Sequence, residues 1–80
     1  MLNVGLLNAR SVCNKADSIN DYIVSKDFDI FFITETWLTC ENEPALAQLV
    51  PEGYDYFLHI REEGRGGGIA VIHKQTLKVE

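Results

Sequence analysis

The sequence predicts an α/β protein, a mixed sheet covered by a short helix, and two observations lead there. Two apolar runs, residues 2–7 and 28–34, flank a polar stretch with helical spacing. That order reads strand, helix, strand, and a right-handed crossover returns the second strand parallel to the first. Two later apolar segments, 54–60 and 68–73, are joined only by a glycine-rich loop. So short a connection pairs them antiparallel.

Residues 2–7 form a short apolar run bounded by polar residues, which predicts a buried interior strand. Residues 8–14 are a loop, with Asn14 as the expected helix cap and Asp17 in the first turn, where negative charge complements the helix dipole. Between positions 15 and 26, Ala16, Ile19 and Ile23 follow the i, i+3, i+7 spacing of one buried stripe, while Asp17, Asn20, Asp21 and Ser25 point outward. This is a short covering helix. Residues 28–34 are apolar on both faces apart from Asp29, which predicts a central strand covered on either side. The stretch 36–51 has loop character with a brief helix over 45–49, started near Asn42 or Glu43 with Pro44 in its first turn. Pro51-Glu52-Gly53 is turn chemistry. The remainder reads as a strand over 54–60, a loop over 61–67 and a strand over 68–73.

No repeat, low-complexity segment or linker divides the 80 residues, so they form one unit. A net charge of -5 and 46% hydrophobic content fit a globular unit rather than a disordered tail. A chain this short buries roughly 60 to 65% of the surface it exposes unfolded, which is marginal for a sheet that needs cover on both faces. The alternation of residues 76–80 continues to the last position, as in an interrupted strand or hairpin, and the expectation is a fragment. No apolar run approaches the roughly 20 residues that span a bilayer, and the amino end lacks a secretory signal's basic flank and cleavage pattern. An intracellular location without membrane association is expected. Cys13 and Cys40 allow at most one disulfide and match no zinc spacing, so buried reduced thiols are expected. The acidic balance argues against simple nucleic-acid binding unless a metal or further basic residues offset it.

Asn8 and Glu35 close the first two apolar runs, so both emerge at carboxyl ends of strands, the edge of an α/β sheet where ligands collect. An amide oxygen beside a carboxylate is a hard-oxygen pair suited to Mg²⁺. Neighbouring strands about 4.8 Å apart let two such side chains share one hydrated ion; an intervening strand would not. The plainer account of the same pair is a loop-starting amide and a solvated carboxylate. A site needs further groups to orient a water and hold a phosphate.

The segment 64–71 is rich in glycine but matches neither phosphate-loop pattern. Ile69 stands where either would need glycine, and a β-branched strand follows instead of a helix. A hairpin loop is the better reading, with Arg65 placed to meet an anion and Gly67 and Gly68 allowing close backbone approach. His59 and His73 fall inside strand patterns without an acid at triad or ligand spacing, as packed or edge histidines. Trp37 is more simply packed beneath a loop than stacked on a base or sugar. Glu41 and Glu43 read as a solvated loop, and Ser11 has no base partner for nucleophilic catalysis.

Three blocks occur together and in order: Leu7-Asn8-Ala9-Arg10-Ser11, then Ile33-Thr34-Glu35-Thr36-Trp37-Leu38, then residues Gly64 to Val71. The set resembles the amino-terminal part of the endonuclease domain of non-LTR retrotransposons, within the endonuclease/exonuclease/phosphatase superfamily related to apurinic endonucleases and DNase I. The resemblance covers nearly the whole chain. It implies the amino-terminal portion of a DNase I-like four-layer α/β sandwich and hydrolysis of a phosphodiester with Mg²⁺ or Mn²⁺. It assigns Asn8 and Glu35 to the metal and phosphate site, with Arg10 and Arg65 as weaker candidates for substrate contact. Its implied partners are a DNA target, nicked in the nucleus by the full-length domain, and a reverse transcriptase domain in the same polyprotein.

The family's downstream Asp-x-Asn and Asp-His pairs have no counterpart before Glu80; Leu58 and Ile72 precede the two histidines. Those groups are each worth about 10² to 10⁴ in rate, so the chain alone is expected to be inactive. Two alternatives remain: a non-catalytic remnant or interaction module, and a superfamily hydrolase acting on RNA, a nucleotide or a phosphoinositide.

Overall fold

The computed structural model describes residues 2–38, 44–60 and 67–77. Four strands, β1 (Val4–Asn8), β2 (Ile30–Thr34), β3 (Tyr54–His59) and β4 (Ile69–Lys74), form one sheet in the order β1-β2-β4-β3. β1 and β2 are parallel, with Asn8 opposite Thr34; β4 runs antiparallel to both β2 and β3. The mixed α/β sheet and its covering helix are as the sequence predicts.

Helix α1 (Ala16–Lys26) makes the crossover and buries Ala16, Ile19 and Ile23, the predicted stripe. Its start differs from expectation. A turn closed by Lys15 N–H donating to the Val12 carbonyl takes up Asn14, and Lys15 occupies the cap position without a side-chain cap bond. The helix ends at Asp27 in the left-handed conformation (φ 54°), and Phe28 N–H returns to the Ile23 carbonyl, which satisfies a carbonyl of the last turn. The short helix α2 (Pro44–Leu49) buries Ala45, Leu46 and Leu49, and Asn20 of α1 donates to the Gln48 carbonyl to tie the helices together.

The core lies between these helices and one face of the sheet, centred on Phe31, Ile33, Ala70 and Ile72. Gly5 belongs to this layer because a Cβ there would come 2.5 Å from the Phe31 ring and 2.8 Å from Phe28. Tyr22, Phe28 and Phe31 pack as a tilted and edge-on aromatic group with centroids 5.0 to 6.0 Å apart.

Two burial expectations are corrected here. Among the described residues β1 is an edge strand rather than an interior one, with Val4 50% and Leu6 72% exposed. β2 is central but covered on one face only, since Phe31 and Ile33 are buried while Phe32 is 38% exposed. The register explains both. Val4, Leu6, Phe32, Ile69 and Phe57 all fall on the face opposite the helices. An apolar run reports that both faces avoid water, but not that the same chain supplies both covers.

Cys13 is exposed rather than buried because it sits in the turn before α1. Cys40, Glu41, Asn42, Glu43, Arg65 and residues 78–80 lie outside the described residues. Among the described residues, no helix is long and apolar enough to cross a membrane.

Candidate active site at the carboxyl ends of β1 and β2

Asn8 is the last residue of β1, and Glu35 follows the last residue of β2. Because β1 and β2 are immediate neighbours and parallel, no strand intervenes between these positions. One further rung, Ala9 N–H to the Thr34 carbonyl at 3.0 Å, carries the ladder past Asn8.

The chain leaving β2 is then held from both sides. From the β1 exit loop, Ser11 N–H donates to the Glu35 carbonyl at 2.8 Å and Val12 N–H to the Thr36 carbonyl at 3.0 Å. On the other flank, Thr36 N–H donates to the Gly68 carbonyl at 3.3 Å and Trp37 N–H to the Gly67 carbonyl at 2.9 Å. Gly67 and Gly68 both have positive φ. A Cβ on Gly68 would stand 2.7 Å from the Thr36 hydroxyl, so the close approach expected of this glycine pair is present. Thr36 is fully buried.

This end of the sheet also concentrates backbone strain. Arg10 (φ 50°), Ser11 (φ 88°), Glu35 (φ 52°) and Trp37 (φ 59°) all occupy left-handed conformations, which cost of order 1 to 3 kcal/mol each for side-chain-bearing residues. Only Asp27 among the described non-glycine residues does so elsewhere. Local sequence rules do not signal this, since neither an arginine nor a tryptophan favours positive φ. The dense backbone bonding from two sides holds them there.

Asn8 and Arg10 are exposed and Glu35 is half-buried. Among the described residues, nothing forms a hydrogen bond or ion pair with any of these three side chains. Also among the described residues, no three of His, Cys, Asp and Glu gather as a metal-binding group. Among the described residues, the donor set that the strand ends bring together is therefore one carboxylate and one amide oxygen. That fits Mg²⁺, which keeps several waters and takes only one or two carboxylates, and it does not fit a closed all-protein cage.

The histidines stand apart. His59, exposed, shares a cross-strand row with Ile69, Thr34 and Asn8, but three strand spacings separate it from Asn8, about 14 Å. His73 lies towards the other end of the sheet, 7% exposed and stacked on Phe57 at 5.3 Å. Trp37 departs from expectation: its side chain is 44% exposed, not packed beneath the loop.

The fold is shared with nuclease and phosphatase structures. The crystal structure of AP endonuclease LMAP from Leishmania major superposes with a TM-score of 0.71 over 89% of this chain at 19% identity. The 3′ phosphatase NExo from Neisseria, bound to a product DNA hairpin, superposes with a TM-score of 0.74 over 91% at 18% identity. The chain spans 23% of the first structure's length and 27% of the second's. No curated protein sequence matches the chain. The endonuclease/exonuclease/phosphatase family model matches residues 2–80, which is nearly every residue, and the chain belongs to that family.

Proposed function

We propose that this chain supplies the first part of the active site of a metal-dependent phosphodiester hydrolase, the DNA-nicking endonuclease of a non-LTR retrotransposon. The observation that carries the reading is the juxtaposition of Asn8 and Glu35 at the ends of adjacent parallel strands, on a backbone braced from both sides. The family comprises phosphodiesterases, nucleases and phosphatases and generally depends on a divalent metal.

Glu35 would hold Mg²⁺ or Mn²⁺ through its carboxylate, with Asn8 beside it. Bound there, the ion supplies Lewis-acid stabilisation of charge on the phosphoryl oxygens. Asn8 has a second capacity, because its amide NH₂ donates hydrogen bonds and would orient a phosphoryl oxygen. Arg10, exposed two residues beyond Asn8, offers a charge-assisted contact to the nucleic-acid backbone. Arg65 would add a second such contact. The groups that orient the attacking water and protonate the leaving oxygen come from polypeptide other than these 80 residues. The mobile-element assignment rests on the three ordered sequence blocks. It carries with it a chromosomal DNA target in the nucleus and a reverse transcriptase domain in the same polyprotein.

Two measurements test the site. Water-proton relaxation with Mn²⁺ detects ion binding by the chain itself, and Glu35→Gln is expected to abolish it; unaltered relaxation removes Glu35 as a ligand. In a complete domain containing this chain, nicking of supercoiled DNA is expected to require Mg²⁺ or Mn²⁺. A rate unchanged by chelation rejects the metal-dependent reading. The reading frame beyond codon 80 tests the biology, since a downstream reverse transcriptase is expected.

A further inference from the structure

Trp37 is presented to solvent by a backbone that gives it little freedom. Its neighbours Thr36 and Leu38 are 0% and 3% exposed, yet the indole between them is 44% exposed. Its own N–H is bonded to the Gly67 carbonyl, and Leu38 N–H reaches back to the Thr36 hydroxyl at 3.4 Å. The residue adopts φ 59°, a strained conformation for a bulky side chain. A large aromatic ring is thus kept out of the core, two residues past Glu35, at the sheet end where Asn8 and Arg10 also emerge.

We propose that Trp37 is a substrate-positioning residue, a stacking platform for a nucleobase next to the phosphate held at Asn8 and Glu35. The proposal rests on the hydrolase reading above and specifies the substrate as a nucleic acid strand with at least one unstacked base. The physics favours this occupant. Every base offers a π-face, and an indole has only two side-chain torsions to fix on stacking. Stacking also supplies affinity that does not depend on charge, which matters for a chain of net charge -5 whose Coulombic attraction for phosphates is weak.

Trp37 is the only tryptophan in the sequence, so its fluorescence reports directly on the platform. The 80-residue chain is titrated at low ionic strength, with Mg²⁺, against a short single-stranded oligodeoxynucleotide. A deoxyribose-phosphate chain of equal length without bases serves as the charge-matched probe. Quenching by the first and not by the second is expected. In fluorescence anisotropy with labelled oligonucleotide, Trp37→Leu is expected to weaken binding about 5- to 100-fold and Trp37→Phe about threefold or less. Absent quenching, equal quenching by the base-free probe, or wild-type affinity in a Trp37→Leu variant with native circular dichroism each overturns the proposal. Should that variant misfold, the quenching comparison and the Phe variant decide. Mn²⁺ binding keeps the two readings separable. If Glu35→Gln loses the ion while the bases leave Trp37 unquenched, the hydrolase reading stands and the platform falls; quenching without any ion binding gives the converse.

Discussion

Where β1 and β2 begin, polar side chains are engaged by backbone groups: Asn3 Nδ2 donates to the Lys26 carbonyl at 2.7 Å, capping the end of α1, and Asn3 N–H donates to Asp29 Oδ2 at 2.8 Å. Lys74 then bridges Asp27 at 2.7 Å and Asp29 at 3.3 Å. Where the same strands end, Asn8, Arg10 and Glu35 have no such partners among the described residues, and the backbone around them is strained. Among the described residues, one end of the sheet thus has its polar side chains engaged within the fold, and the other gathers the residues with left-handed backbone. The difference teaches that backbone strain sets the proposed site apart better than polarity alone, because the paired end is at least as rich in charge.

The comparison can be broken most severely from beneath. Ile23 is fully buried under the sheet, and Ile23→Asp places an unpaired charge in the core at a cost of at least about 3 kcal/mol. Both ends should be lost together, with loss of the far-ultraviolet circular dichroism signal. Retention of that signal would mean α1 does not hold the sheet.

Glu35→Gln separates the ends. In a complete domain the nicking rate is expected to fall at least about 10²-fold, while the thermal midpoint stays near wild type. A fall in stability equal to the fall in rate would make Glu35 structural.

Gly68→Ala is expected to cost about 1 to 3 kcal/mol, through its φ of +87° and the contact with Thr36, and to lower the rate by displacing the segment that carries Glu35. Urea unfolding measures the first effect and plasmid nicking the second.

The smallest effect belongs to the paired end. The Asn3 backbone N–H, followed by Lys74, holds the Asp29 carboxyl below its ordinary value of 3.8. A lowered native value means this carboxylate stabilises the fold above its unfolded value, a contribution lost as pH falls through the lowered one. Asp29→Asn should therefore flatten the acid limb of a thermal-midpoint profile slightly and leave nicking alone. An unchanged acid limb would show the network to be idle.

The strand order around α1, the stripe Ala16, Ile19 and Ile23, the hairpin and the strand-end positions of Asn8 and Glu35 were legible because each follows from local periodicity and connection length. What escaped was set at a distance. The pairing of Asn3 with Asp29 and of Lys74 with Asp27 depends on register, which brings together residues far apart in the chain. The exposure of Val4, Leu6 and Phe32 depends on which face the helices choose. The left-handed turns at Arg10, Glu35 and Trp37 depend on bonds from neighbouring loops, so an aromatic residue that pattern alone assigns to the interior stands outside it.

The outer rim of β1 has one more consequence. The ladder to β2 engages Asn3 through its carbonyl and Ala9 through its N–H, so alternation turns the amides and carbonyls of Val4, Leu6 and Asn8 outward, beside the bare side chains of Val4 and Leu6. Among the described residues no strand pairs with this margin; left open, it is a template for further strands, and at preparative concentration the 80-residue chain should zip onto copies of itself. Solubility, more than folding, would then govern how this polypeptide behaves in a tube, and a proline at Leu6 should keep it dispersed.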